Sequence, residues 1–264
     1  MTSPSLLLQR LNDIARSLQS SGKARALLGL GSVGTEVGRL DAYSDLDFFV
    51  IAKNGMKQHL IDDLSWLSSI APLSYHFQNT KDGHKVLFND GIYCEFAVFE
   101  EEEMKSAVFS AGRIVWKEDD FDESLCVPSK SSAPFIPENL YWAIGEALTC
   151  IYVGLCRYAR GEKLSGTRFI QSYAVDMIVS CSSYFEKEHP DFKDQFQHER
   201  RYEKRFPSIA QYLPSIIQGY ERCPESALAL VKMIEEFVPV NQSIKKEIIS
   251  RAELLIAQRN SSVE

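Results

Sequence analysis

The 264-residue chain has 45% hydrophobic and 25% charged residues and a formal net charge of −7. That is the balance of an ordinary folded protein, with no collagen-like, disordered or membrane bias. The negative charge argues against wrapping nucleic-acid phosphates and is compatible with a cationic small molecule, although solubility alone favours the same balance.

Ser3 as an N-cap and Pro4 at the first helical position open a helix with Leu7, Leu11, Ile14 and Leu18 at helical spacing, which Gly22 ends. This segment has no basic start followed by a long apolar core, so it is not a signal peptide and the expected compartment is the cytoplasm. "ALLGLG" predicts a short buried strand followed by a glycine turn, and "DLDFFVIA" the next strand. Lys57–Ile70 predicts a helix with Leu60, Leu64 and Leu67 on one face, stopped by Pro72. "LSYHFQNT", "HKVLFND" and "IYCEFAVF", separated by Lys81-Asp82-Gly83 and Asp90-Gly91, predict a three-strand meander. "EEEEM" then opens a short helix, carboxylates in a first turn suiting the helix dipole, and "RIVWKE" adds one more strand.

The Ser- and Pro-rich stretch from Phe121 to Pro137 reads as a linker. Beyond it no strand is expected. Helical periodicities run over Glu138–Lys187, Ile209–Tyr220, Ser226–Phe237 and Ser243–Arg259. "LYWAIGEALTCIYVGLCRYA" is the most membrane-like run, but Glu146 and Arg157 make it a buried bundle helix rather than a span. The expected class is α+β: a mixed-sheet domain over 1–125 and an all-α helical bundle over 138–264.

The six cysteines form no C-x-x-C pair and the five histidines no H-x-H or H-E-x-x-H, which argues against a structural zinc site. Candidate chemistry rests on carboxylates instead. On a strand, Asp45 and Asp47 share a face, their Cα atoms roughly 6.5–7 Å apart. Two such groups suit a hard divalent ion, Mg²⁺ or Mn²⁺, which takes phosphate oxygens as its other ligands. Gly29, Gly31 and Gly34 let backbone N–H groups approach an anion, and the Ser32 hydroxyl can donate to a phosphate. No G-K-[S/T] follows, so this is not a Walker A loop, and the loop after Gly34 does not suit a dinucleotide fold. Glu95, within an apolar strand, is the third acid: a metal ligand and general base, or a carboxylate facing solvent on an edge strand. "SDLD" equally reads as a turn capped by Ser44.

Taken in order, "GS…SDLDFFVI…YCEFAVF" resembles the DNA polymerase β-like nucleotidyltransferase superfamily, whose pattern is Gly-Ser, a spacer, Asp-x-Asp/Glu and a later acid. Antibiotic nucleotidyltransferases of the lincosamide and aminoglycoside type are especially similar in length and layout. The motif resemblance covers Ala26–Phe99, with a Ser32–Asp45 spacer longer than the family's usual loop. It implies transfer of a nucleoside monophosphate from an Mg²⁺-bound NTP to a hydroxyl of a small molecule, with Asp45, Asp47 and Glu95 as metal ligands and Glu95 as base. Gly31 and Ser32 would meet the phosphates. Basic clusters in the second half, with Arg168 and Arg201 as candidates, could add charge to the triphosphate, although such runs are usually solvated helix faces. Relatives are often homodimers, and some modify proteins or RNA; the acidic chain argues against RNA. A protein acceptor, and a module that binds Mg-nucleotide without transferring it, stay open.

Overall fold

A computed structural model describes residues 3–128, 137, 139–190 and 197–261. The first helix, α1 (Pro4–Ser21), starts where the Ser3 side chain accepts from the Leu6 N–H and ends at Gly22, whose φ of 65° is left-handed. Its buried Leu7, Leu11, Ile14 and Leu18 cover one face of a sheet.

The sheet strands are β1 (Ala24–Gly29), β2 (Leu46–Ala52), β3 (Leu73–Thr80), β4 (Gly83–Phe88), β5 (Tyr93–Glu100) and β6 (Arg113–Lys117), in the order β3-β4-β5-β2-β1-β6. The β2–β5 pair is parallel and the others are antiparallel, so the sheet is mixed. Leu46, Phe48 and Val50 of β2 and Cys94, Phe96 and Val98 of β5 are buried in a core shared with α1. α2 (Lys57–Asp62) and α3 (Ser65–Ser68) close that core through Leu60, Ile61, Trp66 and Leu67. The continuous helix expected over Lys57–Ile70 is broken because the Asp63 carboxylate accepts from the Ser65 backbone N–H at 2.9 Å and from its hydroxyl at 2.9 Å. Such Asp-to-backbone bonds compete with helical ones.

On the opposite face a smaller core covers β1, β6 and the ends of β2 and β5. There Phe49 packs on Phe99 and Phe109, centroids 4.9 and 5.6 Å apart, beside Ile51, Met104, Phe121 and Cys126. Met104 comes from α4 (Glu101–Met104), held by a reciprocal capping box between Glu100 and Glu103. Phe121 and Cys126 flank and end a 3₁₀ turn, Glu123–Cys126, so the segment read as linker starts as ordered, packed chain. Residues 129–136 of that linker lie outside the described residues.

His84 on β4 is 6% exposed and stacks on Phe96, centroids 5.8 Å apart. Burial holds its pKa below the ordinary 6.5, with His76 pushing the same way and the Ile61 backbone and Asp62 opposing. The unfolded chain therefore takes up this proton first as pH falls. Its contribution to stability should be intact above about pH 6.5 and be lost as pH falls from there towards the lower folded-state value. Melting temperatures measured from pH 7.5 to 5 should show this decline, and His84→Phe should remove that part of it.

The chain divides into two units, Met1–Ser132 and Ala133–Glu264. Among its described residues the second is helical: α5 (Leu140–Ala159), α6 (Lys163–Arg168), a π turn (Phe169–Tyr173), α7 (Ala174–Ser180), α8 (Tyr202–Arg205), α9 (Pro207–Ala210), α10 (Leu213–Ile216), α11 (Cys223–Phe237) and α12 (Gln242–Ser261). The architecture is thus α+β, a mixed sheet followed by a helical region. Ile151, Leu155, Ile170, Ile178, Leu230, Ile234 and Ile248 form the helical core. None of the described helices is long and apolar enough to cross a membrane.

Two helical expectations need correction. Glu138–Lys187 is not continuous, because the chain leaves α5 at Gly161, with φ 91°. The Ile209–Tyr220 run is split between single turns: Pro207 and Pro214 each start one, and Gly219, with φ 88°, ends the run. The Gln171 side chain ties this loop down, donating to the Gly219 carbonyl at 2.8 Å and accepting from its N–H at 3.0 Å.

Candidate active site

Two of the tight turns between β1 and β2 shape the site. The first, Gly31–Val33, needs Gly31 at φ 52°, and a Cβ placed there would lie 3.6 Å from Asp47 Oδ2. The Leu30 N–H donates to the Asp47 carbonyl at 2.8 Å, extending the β1–β2 ladder to the glycine turn. Gly31 and Asp47 are therefore neighbours. The second, Asp41–Ser44, is tied by the Ser44 hydroxyl, which accepts from the Asp41 N–H at 3.0 Å and meets the Asp41 carboxylate at 3.2 Å. Ser44 is thus a turn residue, as its sequence context allowed, and Asp45 follows it just outside β2.

Asp47 and Glu95 are register partners across the parallel β2–β5 pair. Partners in register share a sheet face, here the one opposite the Phe48–Phe96 core. Both lie near the starts of their strands, beyond the Phe49–Phe109 cover, and both are half-exposed.

The row continues through Lys85, the partner of Glu95 on β4, to Phe77, the partner of Lys85 on β3. The Lys85 Nζ stands 3.2 Å from Glu95 Oε2, and Asn79 Nδ2 donates to Glu95 Oε1 at 3.0 Å. The Glu95 side chain is 41% exposed and already has a cationic neighbour in Lys85.

The sequence alone gives no role to Lys85, Asn79 or Tyr93. A signal for Lys85 is nonetheless present, because a turn centred on Asp90 pairs it with Glu95 by position alone. The hydrogen bond and charge of Glu95, with Asp47 among the further causes, hold the Lys85 ammonium above its ordinary pKa. Burial, aided by Glu95 and Asp45 and opposed by Lys85, raises the Tyr93 phenol. Burial, with Asp47 and Asp45 adding and Arg10 opposing, pushes the Cys94 thiol up to about 12. Asp45, Asp47 and Glu95 lie at one end of β2 and β5.

Among the described residues no three His, Cys, Asp or Glu side chains form a group able to hold a metal ion. The donors nonetheless fit a hard divalent cation in kind. They are carboxylate oxygens only, with Asp47 and Glu95 on one face and Asp45 two residues before Asp47.

Arg168 and Arg201 belong to the second unit. Arg168 is exposed at the end of α6, and Arg201 precedes α8 with a left-handed φ of 56°. Some of the basic residues around them have structural work. Arg205 is 5% exposed, pairs with Glu188 at 2.7 Å and donates to the His198 carbonyl at 2.9 Å. Arg157 donates to the Ser165 hydroxyl at 2.5 Å and lies 4.2 Å from the centroid of the Phe169 ring.

No protein-family model matches the chain, and no curated protein matches it. Among solved structures, it is similar to an aminoglycoside 6-adenyltransferase from Bacillus subtilis, over 97% of this chain and 99% of that one, at 12% identity and a TM-score of 0.37. A likeness that distant carries no argument about what the site does.

Proposed function

We propose that this protein is a metal-dependent nucleotidyltransferase. It moves a nucleoside monophosphate from an NTP to a hydroxyl of a small molecule, such as an antibiotic or a metabolite, and releases pyrophosphate. The observation that carries this reading is the Asp47–Glu95 register pair, half-exposed on one sheet face, with Gly31 beside Asp47.

Asp45, Asp47 and Glu95 would hold Mg²⁺ or Mn²⁺, whose contribution is to neutralise phosphate charge. The backbone at Gly31 and Ser32 would receive the phosphates on the Asp47 side. Glu95 would take the acceptor proton as the acceptor oxygen forms its bond to the α-phosphorus. The bond between that phosphorus and the bridging oxygen breaks, and its electron pair leaves with pyrophosphate. Arg168 and Arg201 are proposed as further charge for the triphosphate. A cytoplasmic setting suits a chain whose six cysteines are all free.

The test is a pyrophosphate-release screen with Mg²⁺ and each common NTP against a panel of hydroxylated antibiotics and metabolites. Mass spectrometry should show one acceptor gaining a nucleoside monophosphate. A panel with no pyrophosphate release and no acceptor mass change, while Mg-NTP still binds, would instead favour a nucleotide-binding module. A nucleotide mass found on a co-purified protein would move the acceptor to that class.

A further inference from the structure

Both oxygens of Glu95 are engaged, Oε1 by Asn79 and Oε2 by Lys85. Asn79 is neutral, but Lys85 brings a full positive charge to a carboxylate that the proposed reaction needs for a cation and then for a proton. The pairing follows from register: Lys85 lies opposite Glu95, which lies opposite Asp47. Lys85 is itself 40% exposed at its side chain, and an ammonium on a four-carbon stem moves more readily than a guanidinium fork.

Resting on the nucleotidyltransferase reading, we propose that Lys85 is a resident counter-charge for Glu95, a positioning residue that a divalent cation must displace. It keeps the carboxylate extended along the row towards Asn79 and Lys85 until a cation arrives. Loading the site then exchanges one cation for another at Glu95. The ammonium is released on the same face, where anionic phosphates would be its next partner. Such a device lowers affinity for metal alone and so favours loading together with the polyphosphate.

The experiment measures Mn²⁺ binding to the full, nucleotide-free chain by electron paramagnetic resonance. Lys85→Met should bind Mn²⁺ about two- to fivefold more tightly than the unaltered protein, the range expected for removing a half-exposed ion pair. Lys85→Gln should follow it, and Lys85→Arg should stay near the unaltered value. Damage to the site would weaken binding instead, so the sign separates competition from disruption, with thermal melts confirming that each variant folds. If Asp47→Asn weakens Mn²⁺ binding while Lys85→Met and Lys85→Gln leave it unchanged or weaker, the role of Lys85 is overturned and the metal reading stands. If no form binds Mn²⁺ with or without NTP, both fall.

Discussion

Asp47→Asn should lower nucleotidyl transfer by about two to three powers of ten, the scale of losing one preorganised electrostatic stabiliser of the transition state. The amide keeps the shape of the side chain and removes its negative charge, so it cannot neutralise a divalent ion as carboxylate does. The fold should be retained. The ladder bond at this position runs from the Leu30 N–H to the Asp47 backbone carbonyl, which the substitution leaves alone, and the side chain is only half-buried. Pyrophosphate release and a circular dichroism melt, taken on the same preparation, check the two halves. Activity within tenfold of the unaltered protein would remove Asp47 from the proposed metal set.

One residue on, Phe48→Ala should cost about 3–5 kcal/mol of stability, the range for truncating a buried aromatic side chain. Phe48 is 1% exposed, lies parallel to Phe96 with centroids 5.3 Å apart, and meets Trp66 edge-on at 6.5 Å. Removing the ring leaves space that β2, paired on both sides, cannot close by moving. Urea unfolding should show a lower midpoint with the slope preserved. A midpoint close to that of the unaltered protein would mean that the core beneath the acids collapses around the gap. On the proposed reading, Asp47 and Phe48 separate chemistry from stability within two consecutive residues, because a strand sends them to opposite faces.

Local features are the legible part of this fold. Ser3, Pro4 and Gly22 bound α1 where capping chemistry says they should, and the meander follows its turn residues. Alternation along β5 is enough to put Glu95 on the opposite face from Cys94 and Phe96. Non-local pairing is not legible. That β2 lies parallel to β5, with two helices and two strands between them in the chain, depends on which apolar faces meet, and the sequence does not write that down. The hairpin turn pairs Lys85 with Glu95 by position, but that Asp47 joins the same row rests on the parallel β2–β5 pairing. The broken helix at Asp63 and the single turns near Pro207 and Pro214 show side-chain and proline effects overriding apolar periodicity.

The β4–β5 hairpin has a consequence for how such a site can change over generations. Lys85 and Glu95, Val86 and Cys94, and Leu87 and Tyr93 are mirror positions about residue 90. An insertion or deletion of one residue in that turn would slide the mirror and set an inward-facing neighbour opposite Glu95. Point substitutions in the turn leave the alignment intact. Descendants of this chain should therefore conserve the length of the Asn89–Gly91 connection more strictly than its letters.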